Sequence, residues 1–200
     1  MNRPGRRPLV VGVAVVVGCL VVVAAVAVPA WVGTRVGHQL GAHVGAGPRD
    51  LSAVVSSDPG RDHTTGGVDY PDPPAGGPHH PVFLDCGVYA EPVPAELAVH
   101  SLEHGTVWIT HDPELSPADR ERLAGQLPDR GIMSPYDGLP APVVVSAWGR
   151  QLHLDGPDDP RLELFVEAYG DGHTAPEPWA TCHGGADLDQ ARRLLGGESA

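Results

Sequence analysis

The stretch His100-Ser-Leu-Glu-His-Gly105 places two imidazoles and a carboxylate within five positions. On a helix, His100 and His104 lie one turn apart on one face, where both rings can point at one ion. The order is also H-x-x-E-H, which in one class of zinc proteases supplies ligand, base and ligand. Imidazole-rich sites suit zinc or copper. Such a site needs a third donor, and His79 is the candidate. It ends the rigid loop Pro73-Pro-Ala-Gly-Gly-Pro-His79, where proline limits the backbone freedom. His79, His100 and His104 are therefore the expected metal ligands. Glu103 is expected to accept a ring N–H beside them, or to act as the base of a metallohydrolase.

Hydrolase chemistry asks for more than this stretch offers. It needs a third ligand, usually a distant carboxylate, and a long helix to carry the motif. Here the helix starts near Pro94, and Gly105 stops it directly after His104. No residue is assigned as catalytic, and whether the chain is an enzyme stays open. A different function class fits the same residues: a structural or protein-interaction module of the cell envelope, with imidazoles bonding loop carbonyls. His80 and His111 are lesser neighbours of the site. His38, His43 and His63 read as solvated spacer or entry residues, and His173 and His183 as loop residues. There is no G-x-S-x-G elbow, no phosphate loop and no dinucleotide fingerprint.

The elements that must position these side chains follow from pattern. Pro94 to His104 reads as a short helix with proline at its start and glycine past its end. Thr106-Val-Trp-Ile-Thr110 reads as a strand by β-branched and aromatic content. Ser116-Pro-Ala-Asp119 caps a helix running to about Leu127. Ile132–Pro135 is a possible strand. Pro142–Trp148 and Arg150–Leu154 read as strands joined across Gly149. Asp158–Tyr169 and Asp187–Leu195 read as helices. Strands and helices mix without a regular βαβ period, so the expected fold class is α+β: a small, mainly antiparallel sheet with short helices, preceded by one N-terminal transmembrane helix.

Arg3, Arg6 and Arg7 precede 22 uncharged residues, Leu9 to Ala30, with Trp31 at the far end. That length spans a bilayer core of roughly 30 Å at about 1.5 Å per residue. The arginines mark the cytoplasmic side, and the indole suits the membrane interface at the far end. The expected organisation is a cytoplasmic tail at 1–8, a transmembrane helix at 9–31, a spacer at 32–57 and an exported domain at 58–197. The chain would then be a single-pass protein of the plasma membrane, its partner the membrane itself through 9–31. Two alternatives stand beside this: cleavage near Ala25-Val-Ala27, or lipidation at Cys19. The part beyond the span holds all 25 acidic residues and 10 of the 13 arginines, a formal charge near −15. That balance argues against nucleic acid as a partner. It names no protein partner.

Cys86 and Cys182 are the two cysteines beyond the span. In an oxidising compartment they are expected to form one disulfide; the alternatives are two free thiols or a metal role for one.

Several words in one order carry a further reading: Tyr70-Pro-Asp-Pro-Pro-Ala-Gly-Gly-Pro-His79, Asp85-Cys-Gly-Val-Tyr89, Val99-His-Ser-Leu-Glu-His-Gly105, Ser134-Pro-Tyr136, Ser146-Ala-Trp-Gly149 and Ala175-Pro-Glu-Pro178. Over about Asp58 to Gly185 the chain resembles the bacterial family called domain of unknown function 3105. The family pattern has Thr-Ser before glycine in the first word, where this chain has Ala75-Gly76, so any role for that serine does not carry over. The resemblance implies an anchored, exported domain and implies no reaction. It places His79, the His100–Gly105 stretch and Trp148 among the family's most recognisable words. Trp148 is expected in the core. Glu177, between two prolines, is expected to anchor its loop rather than to serve as a distant ligand.

Overall fold

Three β-branched or apolar runs account for the centre of the fold, and short turns around them account for the rest. The computed structural model describes residues 49–71 and 73–196. In chain order the elements are β1 (Val55–Ser56), β2 (Gly87–Val88), α1 (Ala95–Glu103), β3 (Val107–His111), α2 (Pro117–Ala124), β4 (Gly131–Pro135), β5 (Val143–Ala147), β6 (Arg150–Leu154), α3 (Arg161–Tyr169) and α4 (Leu188–Leu195). The strands form one six-stranded sheet in the order β1-β6-β5-β3-β4-β2.

The fold class is α+β as expected, but the sheet is mixed. β1 with β6, β5 with β6, and β3 with β5 pair antiparallel; β2 and β3 both run parallel to β4. The parallel β3–β4 pair has a simple cause. α2 lies between them in the chain, and a crossover returns the chain to the same end of the sheet before the next strand begins. β2 and β3, joined through α1, are likewise parallel to each other with β4 between them, so the sheet contains two βαβ steps among the described residues.

Residue period two assigns the strand faces. On β3, Val107 and Ile109 pack in one apolar cluster with Met133, Val145, Leu152, Leu162 and Phe165, beneath α2 and α3. Trp108 points the other way, into a cluster with Leu84, Leu97, Leu102 and Ile132 beneath α1 and α4. Trp108 is fully buried, and its indole N–H donates to Ser134 Oγ at 3.0 Å. Trp148 lies in the same cluster at 6% exposure, in the core as expected.

The segment expected to be spacer contributes to this unit before residue 58. Val55 and Ser56 pair with Gln151 and Arg150, and Leu51 and Val54 pack on the α2/α3 cluster. The expected transmembrane helix at 9–31, Cys19 and most of the spacer lie outside the described residues. Among the described residues, no helix is long and apolar enough to cross a membrane.

Gly149 turns the β5–β6 hairpin and ties three segments together. Its φ is +67°, its N–H donates to Ala75 O at 2.7 Å, and its carbonyl accepts from Ser57 N at 3.0 Å. A Cβ there would lie 2.6 Å from Ser57 O. Gly149→Ala is therefore expected to destabilise the fold by at least about 2 kcal/mol, from the left-handed backbone penalty plus the clash. Urea unfolding checks it, and a loss under about 0.5 kcal/mol would contradict the tie.

Candidate metal centre

α1 is an unusual helix to bury, because its core-facing positions include polar side chains. Leu97 to Glu103 are all buried. Ser101 Oγ donates to Leu84 O at 2.7 Å and accepts from Leu84 N at 3.1 Å. His100 and Glu103 sit at 7% and 4% exposure, so each needs a partner to offset lost hydration. Gly105 ends the helix with φ +85°, where a Cβ would lie 2.9 Å from Gly172 Cα. The close approach lets the 172–182 loop pack over the end of α1, where Glu177 N donates to Glu103 O.

The loop that ends at His79 reaches α1 from outside the helix. His79 pairs with His63 through a backbone bridge, with Thr64 N donating to His79 O at 2.8 Å and His79 N to Asp62 O at 2.9 Å. His80 N bonds Glu96 O, and Val82 N donates to His80 Nδ1 at 3.0 Å. Loop and helix thus converge on one point. His63, His79, His100 and Glu103 each offer one ligand atom, and those atoms all lie within 4.8 Å of one another.

Backbone carbonyls fix which nitrogens face that point. His79 Nδ1 is 2.8 Å from Gly77 O, and His100 Nδ1 is 2.7 Å from His80 O. A carbonyl only accepts, so each Nδ1 carries the hydrogen and each neutral ring presents a lone pair at Nε2. Metal-ligating histidines are held in this way. His100 is further committed to the neutral form: burial pushes its pKa down to about 4, against the bond to His80 O, with the imidazoles of His104, His79 and His63 lowering it further.

His79 Nε2 lies 2.9 Å from Glu103 Oε2, and His63 Nε2 lies 3.8 Å from the same oxygen. With Nδ1–H already given to Gly77, the His79–Glu103 contact needs a cation between two lone pairs: a proton or a metal ion. Donors about 2.0–2.1 Å from an ion lie about 2.9–3.4 Å apart at right or tetrahedral angles and about 4.1 Å apart when opposite. The short contact falls in the first range. The widest separation in the group closes to the second limit with less than about 1 Å of movement.

The sequence-expected residues divide here. His79 and His100 belong to the group, and Glu103 belongs to it as a fourth donor rather than as a neighbour of His104. His104 lies outside it. Its ring is 4.7 Å from that of His100, edge to face, but its Nδ1 is held by Thr181 O at 2.7 Å. That bond turns Nε2 towards Glu177, 3.7 Å away. One turn of helix places two rings side by side; the bond at the far nitrogen decides where each lone pair points. Glu177 anchors its loop through its main chain, and its carboxylate is 58% exposed.

His63 was expected to be solvated, and its side chain is indeed 51% exposed. It nevertheless carries a donor of the group at the solvent side. No periodicity marks it, because its place comes from a loop-to-loop bridge 16 residues away. His80 and His111 are buried and bonded to nearby backbone, with the pKa of His111 lowered by burial. His173 bonds Asp171 on the surface, and His183 lies 3.9 Å from Asp85.

Cys86 and Cys182 form a disulfide that closes 96 residues. Cys86 N also donates to Cys182 O at 2.8 Å. Beside it, Thr181 supplies the carbonyl that holds His104.

No curated protein and no solved structure matches the chain. A family model, described as protein of unknown function (DUF3105), matches residues 63–184. The match begins at the first donor of the group, takes in the other three and extends past Cys182, and the chain belongs to this family.

Proposed function

We propose that this is a membrane-anchored, extracytoplasmic domain that binds one transition-metal ion, zinc or copper, through His63, His79, His100 and Glu103. The observation that carries the reading is the convergence of three imidazole nitrogens and a carboxylate oxygen within 4.8 Å. The bonds that hold His79 and His100 as Nε2 donors support it. The apolar run at 9–31 with arginines before it, and the Cys86–Cys182 disulfide, support the anchor and the oxidising side of the membrane. Three nitrogens and one oxygen suit zinc or copper among the available metals.

The test uses the full-length chain in detergent, stripped of metal and titrated with Zn(II) and with Cu(II). One equivalent is expected to bind. His79→Ala and His100→Ala are each expected to weaken binding at least about 100-fold, more than the loss of an outer partner costs. The reading fails if neither ion is taken up stoichiometrically, or if both variants bind as the parent does.

The 2.9 Å His79–Glu103 contact also favours a second reading, in which a proton bridges the pair and the cluster is a hydrogen-bonded hub of an envelope module. It predicts no uptake, and a lower melting temperature in His100→Ala with or without chelator. A hydrolase would need Glu103 free of the ion and facing bound water. The approach of its carboxylate to His79 supports a ligand role instead.

A further inference from the structure

Trp148 lines a cavity of about 670 Å³, together with Asp58, Pro59, Arg61, Arg150 and Thr174 among others. The Trp148 ring also meets that of His79, one of the four donors, edge to face at 5.8 Å. Arg61 stands two residues before His63 in the chain. The volume is that of a small-molecule site.

The charges in the lining are unspent. Among the described residues Arg122 pairs with Asp119 and Asp158, Arg161 with Asp159, and Arg192 with Glu91. Arg130 is used up on the carbonyls of His104, Pro178 and Ala180. Arg61 makes no ion pair or hydrogen bond among the described residues, and Arg150 bonds only the neighbouring carbonyl, Gly149 O. Asp58 is the one carboxylate of the lining and pairs with neither. Two arginines and one aspartate give this concave lining a formal charge of about +1, in a protein of net charge −12. Guanidinium groups match oxyanions in shape as well as charge.

We propose that this cavity binds a small oxyanion, carboxylate or phosphate, through Arg61 and Arg150, beside the metal centre. The proposal rests on the metal reading only for the word beside; anion binding and metal uptake are measured separately.

Isothermal titration of the full-length chain with inorganic phosphate and with succinate tests it and separates the two sources of oxyanion. At least one is expected to bind at one site. Arg61→Ala/Arg150→Ala is expected to weaken that binding at least tenfold while stoichiometric uptake of Zn(II) is unchanged. Asp58→Ala is expected to tighten it two- to fivefold by removing a like charge, an effect that damaged folding does not produce. Binding of neither anion overturns the proposal, and so does binding that both variants leave unaltered. Loss of metal uptake in the parent, with anion binding kept, would remove the metal reading and leave this one.

Discussion

Glu103→Gln is expected to leave the metal-free protein as stable as the parent while lowering its metal affinity about 100-fold or more, beyond what loss of an outer partner costs. The two effects separate because the amide matches the carboxylate in shape and differs in what it needs. His79 gives its Nδ1–H to Gly77 O, so its Nε2 can only accept unless a second proton is added. In the parent, Glu103 and His79 face each other at 2.9 Å with lone pairs on both sides, and a cation must bridge them. A glutamine N–H donates to Nε2 directly, and the buried pair is satisfied without any ion. The amide is also a much poorer metal ligand than the carboxylate. Binding at 100 times Kd stabilises a folded protein by about 2.7 kcal/mol. For a domain of this size that is a shift of roughly 5–10 °C in Tm, at about 2–4 °C per kcal/mol. Scanning calorimetry with metal at 100 times the parent's Kd, then with chelator, should show that shift in the parent and at most about 2 °C in Glu103→Gln. An equal chelator-dependent shift in both proteins would remove Glu103 from the ligand set. No shift in either would favour the proton-bridged hub.

What the sequence discloses of such a centre depends on whether a local rule acts. β3 and β5 are legible because β-branched runs bury both faces of central strands, as Val143–Ala147 does, and β6 because apolar and polar residues alternate over its last three positions. α2 and α4 are legible from their caps: Ser116 accepts from Asp119 N, and Asp187 and Gln190 close a capping box. β1 and β2 are not, since two residues carry no period. The parallel pairing of β2 and β3 with β4 is likewise absent from any local pattern, because pairing direction is decided by how the chain returns. The site shows the same division. His100 and Glu103 stand out by their place on one helix, and His79 by its proline-bounded loop. His63 and the turning away of His104 depend on backbone contacts between segments remote in sequence, the His63–His79 bridge and the Thr181 carbonyl. Side-chain type marks the candidates, and long-range main-chain bonds select among them.

Loss of the Cys86–Cys182 bridge is expected to destabilise the domain by up to about 4–5 kcal/mol, a fall of roughly 10–20 °C in Tm. The size follows from the 96 residues the bridge encloses, which restrict the unfolded chain far more than a short loop does. Native contacts should soften the damage without removing it. Cys86 N still reaches Cys182 O, Leu84 pairs with Ala186, and Asp85 N donates to Ala186 O. These bonds hold the two segments in register, but they do nothing to the entropy of the unfolded state. Cys182 is 1% exposed, so serine there would also leave a hydroxyl to satisfy in a site built for sulfur; alanine is the cleaner replacement. The measurement is calorimetry on Cys86→Ala/Cys182→Ala beside the oxidised parent. The same variant separates framework from ligands. The bridge adjoins Thr181, which positions His104, while His79 and His100 are held by Gly77 and His80 on other segments. Zn(II) stoichiometry below the lowered Tm should therefore remain one, with affinity changed less than tenfold. A Tm within about 2 °C of the parent would show that native contacts, rather than the cross-link, carry the stability of this half of the domain. A loss of metal uptake would show that the loop over His104, and not only the four converging donors, is required to hold the ion.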